Sequence, residues 1–211
     1  MHKNMINIII VLVVIVGLWS IWGFFASRVE QADYALVKKV NGYEIRNYNA
    51  RILAQTKISG SYRESMGSGF SIIAGYIFGG NAKKESIAMT APVTEQKAVS
   101  EKIAMTAPVL VGLEGEERIV SFSMPRSYTL ATLPTPNDSR VKIVEVPAQK
   151  MAAIVFSGYR TDTKIEKMKE LLKAKLSEDK IETIGTPIYA GYSGPGTPPW
   201  MTRNEVMIEI K

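Results

Sequence analysis

The side chains that most often carry out chemistry are nearly missing from this chain. Its 211 residues contain no cysteine, and the one histidine is His2, at the extreme N-terminus. Thiolate nucleophiles, disulfides, iron–sulfur clusters and cysteine zinc sites are therefore excluded. So is an imidazole in the body of the protein acting as base or as axial ligand. Ser177 and Lys180 stand at a Ser-x-x-Lys spacing, but among charges at a helix end and without companion motifs. Asn137-Asp138-Ser139 matches a glycosylation acceptor by composition alone. No paired carboxylates, GxGxxG run or phosphate loop stands out. What remains is the chemistry of recognition by guanidinium, thioether and aromatic groups, which points to a binding protein and not an enzyme.

The thioethers come in a doubled phrase. Residues 85–93 read ESIAMTAPV and residues 101–109 read EKIAMTAPV, eight of nine letters alike and 16 positions apart. Alternation predicts a strand for each copy, with Ile87, Met89 and Ala91 on one face and Met105 at the matching place in the second copy. Pro92 and Pro108 lack an N–H and mark strand ends or edges, and the polar residues 94–102 can close a hairpin. Small Ala and Thr leave room beside such strands that flexible Met can fill or vacate. Core packing is the plainer role for Met89 and Met105, soft ligation the sharper one.

Around the phrase, the elements follow from periodicity. Residues 5–26 form an apolar stretch long enough to cross a bilayer as one helix, with Trp19, Trp22, Phe24 and Phe25 gathered at its end like an aromatic belt. A retained anchor fits this length better than a cleaved signal peptide. A short N-terminal tail before a single span places the tail inside and the rest on the exported side. Residues 34–40 and 43–48 read as a hairpin turned by Asn41-Gly42, and 52–58 as a further strand. Residues 61–78 predict a helix, with Ser61 and Glu64 as a capping box and Tyr62, Met66, Phe70, Ile73 and Ile77 along one side. Its glycines, Gly67, Gly69 and Gly75, either let it lie tight on a sheet or let a flat ligand approach its backbone. A second helix spans 163–177, capped by Thr163 and Glu166, with Ile165, Met168, Leu171, Leu172 and Leu176 as its apolar stripe. Strands are expected at 118–124, 141–146, 151–156, 188–192 and 204–210, and GPGTPPW at 194–200 is a stiff loop.

The two halves of the body repeat. At an offset of 98, Ile45 meets Ile143, Ala50 meets Ala148, Ala54 meets Ala152, and Ser59-Gly60 meets Ser157-Gly158. Each half then continues with a capped helix and more strands. This predicts an α+β fold: one curved antiparallel sheet with two flanking helices and an internal pseudo-twofold, preceded by one transmembrane helix. The chain divides into an anchor at 1–27, a linker at 28–33 and a domain at 34–211. A formal charge of +6, spread without a basic block, argues against nucleic acid and fits a mild attraction to anionic lipid head groups.

IAMTAPV, YIFGGN at 76–81, FSMPRSYTLATLPTPND at 122–138, VPAQKMAAIVFSGY at 146–159 and RNEV at 203–206, in that order, resemble the SOUL haem-binding proteins over the whole body. The resemblance implies a distorted β-barrel with two flanking helices, built from two similar halves. It also implies kinship with GyrI-like effector-binding domains, which hold flat or apolar small molecules in a cleft. The implied ligand is haem or a related tetrapyrrole, non-covalently held. The histidine mode used by some members is closed to this chain. By position, Arg63 and Met66 match the family's ligand-side residues of the first helix. Arg63 would fork onto a propionate, and Met66, Phe70 and Ile73 would face the ring. Met89 and Met105 are the candidates should a thioether reach the iron. The glycine-rich stretch after Met66 departs from the shorter helix of the animal haem binders. The alternatives are a GyrI-like sensor for another apolar small molecule, or an interaction protein of the envelope whose protein partner the sequence does not identify.

Overall fold

The computed structural model describes residues 2–26, 30–40, 42–60, 62–83, 100–194 and 196–211. A helix α1 (His2–Ala26) leads to a two-residue strand β1 (Glu30–Gln31) and the body. The first half comprises β2 (Tyr34–Val40), β3 (Tyr43–Tyr48), β4 (Arg51–Ile58), α2 (Tyr62–Ile77), β5 (Asn81–Ala82), β6 (Thr106–Ala107), β7 (Val109–Glu114) and β8 (Glu117–Ser123). The second comprises β9 (Thr135–Pro136), β10 (Lys142–Val146), β11 (Gln149–Phe156), α3 (Asp162–Glu178), β12 (Thr183–Gly191), a single 3-10 turn (Pro199–Met201) and β13 (Asn204–Ile210).

Nine strands form one antiparallel sheet in the order β10-β4-β8-β7-β12-β13-β11-β3-β2. The repeat is visible in that order. Pair β3, β4, β7 and β8 with β10, β11, β12 and β13, and the first eight strands read the same from either end. The register obeys the same rule: Ile143 lies opposite Ala54, and Ala152 opposite Ile45. One strand of each half is therefore exchanged, since β3 pairs with β11 and β10 with β4. The sheet curls enough that the first residues of β4 and β11, five places apart in the order, share a hydrogen bond.

Alternation puts a separate apolar set on each face. Ile45, Ala54, Val120, Phe122, Ile154 and Val206 pack beneath Ile73 and Ile77 of α2 and Ile165, Leu172 and Leu176 of α3. Tyr48, Leu53, Leu110, Met151, Tyr192 and Met207 fill the other face. The large buried side chains contribute roughly 1.5–3 kcal/mol each by leaving water.

Three local readings are corrected. α3 is capped by Thr161, whose side chain accepts from the Lys164 N–H, two residues ahead of Thr163. On α3, Leu171 is exposed and Lys169 is buried, its ammonium held 2.7 Å from Glu166. In the second copy of the doubled phrase, residues 101–105 are not strand; Thr106–Ala107 pairs in parallel with β1, and Val109 opens β7. The backbone there has other obligations: the Ile103 N–H goes to the Ile77 carbonyl, and Pro108 has none to give. The first copy, including Met89, lies outside the described residues.

Candidate ligand site

α2 carries most of the predicted contacts, and its seat on the sheet is set by one glycine. A Cβ on Gly69 would lie 2.5 Å from the Val120 side chain, so β8 comes against the helix backbone there. Gly67 and Gly75 face open space. Gly69 thus takes the close-packing role considered for the three. The helix stops at Gly79, which takes a φ of +120°, while the Gly80 N–H closes back on the Gly75 carbonyl at 2.8 Å.

Met66 and Phe70 are half-buried on α2, and Phe70 tilts against Phe122 with ring centroids 5.4 Å apart. Ile73, one turn on, is wholly enclosed in the core. Arg63 stands in the first turn, and its side chain is outside the described part. Met105 is half-buried against the same core as Met66 and Phe70. Met66, Phe70 and Met105 thus all pack against the core that contains Ile73.

Asn81 fastens the doubled phrase to this helix. Its Nδ2 donates to the carbonyls of Tyr76 (2.7 Å) and Glu101 (2.8 Å), and its Oδ1 accepts from the Glu101 N–H (2.9 Å). Tyr128 donates to Glu101 Oε1 at 2.7 Å, and the Thr106 hydroxyl to the Ser123 carbonyl. These bonds account for the Asn of YIFGGN, the Thr of IAMTAPV and the Tyr of the FSMPRSYT stretch: each ties a segment to its neighbour.

The opposite face holds a charged network that sequence reasoning missed. Arg46 and Glu205, both without exposed surface, meet as a fork, with Nη1 to Oε2 at 2.6 Å and Nη2 to Oε1 at 3.1 Å. Arg46 also donates to Glu44 and to the Tyr48 hydroxyl, and lies 4.3 Å over the Tyr34 ring. Arg203 donates to Glu205 Oε1 and Tyr34, and stacks 4.1 Å over Tyr192. Burial alone would lower the Arg46 pKa, but the hydrogen bonds and charge of Glu205 outweigh it and hold it above its ordinary value. Burial pushes the Glu44 carboxyl up, yet Arg46 and Lys39 together keep it below the usual range. The signal was present: Glu44, Arg46 and Tyr48 alternate with Tyr43 and Ile45, as Glu205 does with Val206.

Beside this network lies a small cleft of about 50 Å³, lined among others by Ala32, Arg51, Thr106, Ser123 and Arg126. Arg51 Nη1 and Ser123 Oγ are buried there without a partner. Small-molecule pockets run to roughly 300–1,000 Å³, so this cleft is the size of a few waters and not of a planar macrocycle.

Among the described residues, no three His, Cys, Asp or Glu side chains converge on a possible metal position. The donors near α2 are thioethers and aromatic rings. That chemistry fits an apolar ring held by burial and does not fit an iron gripped by imidazole.

No curated protein sequence matches the chain. Among solved structures, the EcmrR C-terminal domain shares the fold, with a TM-score of 0.57 at 7% identity over 84% of this chain and 98% of that one. A hydrolase from Listeria innocua gives 0.49 at 10% identity, covering 83% and 94%. SAV2435, solved bound to tetraphenylphosphonium, gives 0.43 at 10% identity, covering 80% and 93%. The family model described as SOUL heme-binding protein matches residues 29–209. With the body matched from end to end, with a curved nine-stranded sheet under two helices, this chain belongs to the SOUL haem-binding family.

Proposed function

We propose that this chain is a membrane-tethered haem- or tetrapyrrole-binding protein that holds the ring by burial against α2, without a histidine on the iron. The match to the haem-binding family over residues 29–209 carries the reading. The half-buried Met66 and Phe70 offer the ring apolar contact, Arg63 in the same helix supplies a cation for a propionate, and Met105 packs against the same core. Helix α1 is the tether: Met5–Phe24 is long and apolar enough to cross a bilayer. With neither cysteine nor a body histidine, the protein acts as a binder and not as an enzyme.

The test is haemin titration of the full chain in nanodiscs, read against empty nanodiscs. A saturable Soret shift without bis-imidazole features is expected. Absence of saturation above the empty-disc background would overturn the reading. Displacement of haemin by unrelated apolar ligands at comparable concentrations would favour a general small-molecule binder.

A further inference from the structure

The motif GPGTPPW at 194–200 plays no part in the candidate ligand site, yet it packs against α1. Two glycines interlock. A Cβ on Gly23 of α1 would lie 2.6 Å from Pro198, and one on Gly196 would lie 2.9 Å from the Trp22 ring. Trp19 donates its indole N–H to the Gly196 carbonyl at 2.7 Å and meets Trp200 edge-on, with ring centroids 5.3 Å apart.

The depth of these contacts is informative. Trp19, Trp22 and Gly23 fall within the apolar span Met5–Phe24 itself, in its last turns. At 1.5 Å per residue the loop runs beside the final ~9 Å of the span, where hydrocarbon gives way to head groups. The loop is built to tolerate that place. It contains no charged residue, and Pro195, Pro198 and Pro199 have no N–H to bury. Four of its carbonyls are engaged: Gly194 by Thr197, Gly196 by Trp19, Pro198 by Met201, and Pro199 by the Gly158 N–H at 2.9 Å. Backbone is admitted to a membrane boundary only when its polar groups are so satisfied. Trp200, 55% exposed, and Tyr159, 74% exposed on the turn hydrogen-bonded to Pro199, extend the aromatic surface beyond what contact with α1 uses.

We infer that residues 194–200, with Tyr159 beside them, bed into the interfacial layer of the bilayer and seat the folded body directly on the membrane at the exit of α1. This rests on α1 being a retained span. The chain has no cysteine, so single Cys substitutions give unique nitroxide labels in the full chain, reconstituted in vesicles of phosphatidylcholine and phosphatidylglycerol. Val14→Cys reports the span, Glu170→Cys on the outer side of α3 reports water, and Tyr159→Cys reports the loop.

The expected result is a Val14 label in hydrocarbon, a Glu170 label open to a water-soluble nickel relaxant, and a Tyr159 label several-fold less open to nickel than Glu170 and more open to oxygen. A Tyr159 label matching Glu170 while Val14 is deep would overturn the seating and leave the anchor standing. A Val14 label in water would overturn both. Gly23→Leu, which drives a side chain into Pro198, is expected to release the Tyr159 label toward the Glu170 value with Val14 unchanged. A Tyr159 label that keeps its depth in that variant would overturn the role given to α1.

Discussion

Arg51 donates from Nη2 to Oε1 of Gln149 at 3.0 Å, and the two residues are 98 positions apart, the period of the internal repeat. They are each other's counterparts, so the bond straddles the pseudo-twofold. Equivalent positions have diverged into donor and acceptor where they meet. The same axis passes between β7 and β12, the middle pair of the palindromic strand order.

The three glycines of α2 are expected to respond in opposite directions. Gly69→Ala forces a methyl into Val120 and should cost about 1–3 kcal/mol, as overpacking does. Gly67→Ala and Gly75→Ala meet nothing and should each stabilise by about 0.5–1 kcal/mol through helix propensity. Urea unfolding of the three variants reads this directly.

Breaking the Arg46–Glu205 pair should be far more costly than its place in an alternating strand suggests. Glu205→Ala leaves Arg46 buried without its carboxylate, a loss of about 3–5 kcal/mol by chemical denaturation. Replacing both, as Arg46→Met with Glu205→Leu, should recover much of it. A double variant as unstable as the single one would show that Glu44 and Arg203, and not the pair, dominate the network.

The α3 cap separates two nearby threonines. Thr161→Ala should lower stability by about 1 kcal/mol, and Thr163→Ala by less than about 0.5. Equal losses in thermal unfolding would reinstate Thr163 as the cap.

Stability should fall between pH 10 and 12. Burial and the bond to Asp179 raise Tyr43 to about 12, and the bond to Glu101, aided by burial, raises Tyr128 to about 12. An acid whose folded pKa is raised stabilises below its unfolded value, near 10, and loses that contribution as pH climbs through the folded one. Urea midpoints against pH should show the decline, and Tyr43→Phe and Tyr128→Phe should each flatten it.

Haem affinity should depend on the α2 side of the sheet alone. Phe70→Ala is expected to weaken haemin binding roughly tenfold, the loss of one aromatic contact with its buried surface. Arg63→Ala should weaken it as well. Val155→Ala, exposed on the far face, should leave the titration unchanged.

Much of this architecture was legible in advance because periodic burial dominates it. The offset of 98 carries β4 onto β11 residue for residue, and the helix stripes place α2 and α3 within a few positions. What escaped notice depended on partners far along the chain. Leu171 and Lys169 trade places because Glu166 is there to receive the ammonium. Residues 101–105 resemble a strand by alternation, but Asn81 and Ile77 take their backbone groups. Nothing local to the 204–210 strand marks Glu205 as buried; its partner Arg46 lies 159 residues away. Of the candidate site residues, Met66, Phe70 and Met105 are half-buried at the margin of one core, while Ile73 lies within it.

The exchange of β3 and β10 sets the order of assembly. Residues 43–48 leave the ribosome long before 149–153, the partner whose edge they require. Until then β3 has only β2, from its own half, to pair with. An N-terminal half alone would leave β3 without β11, and a C-terminal half alone would leave β10 without its sheet neighbour β4.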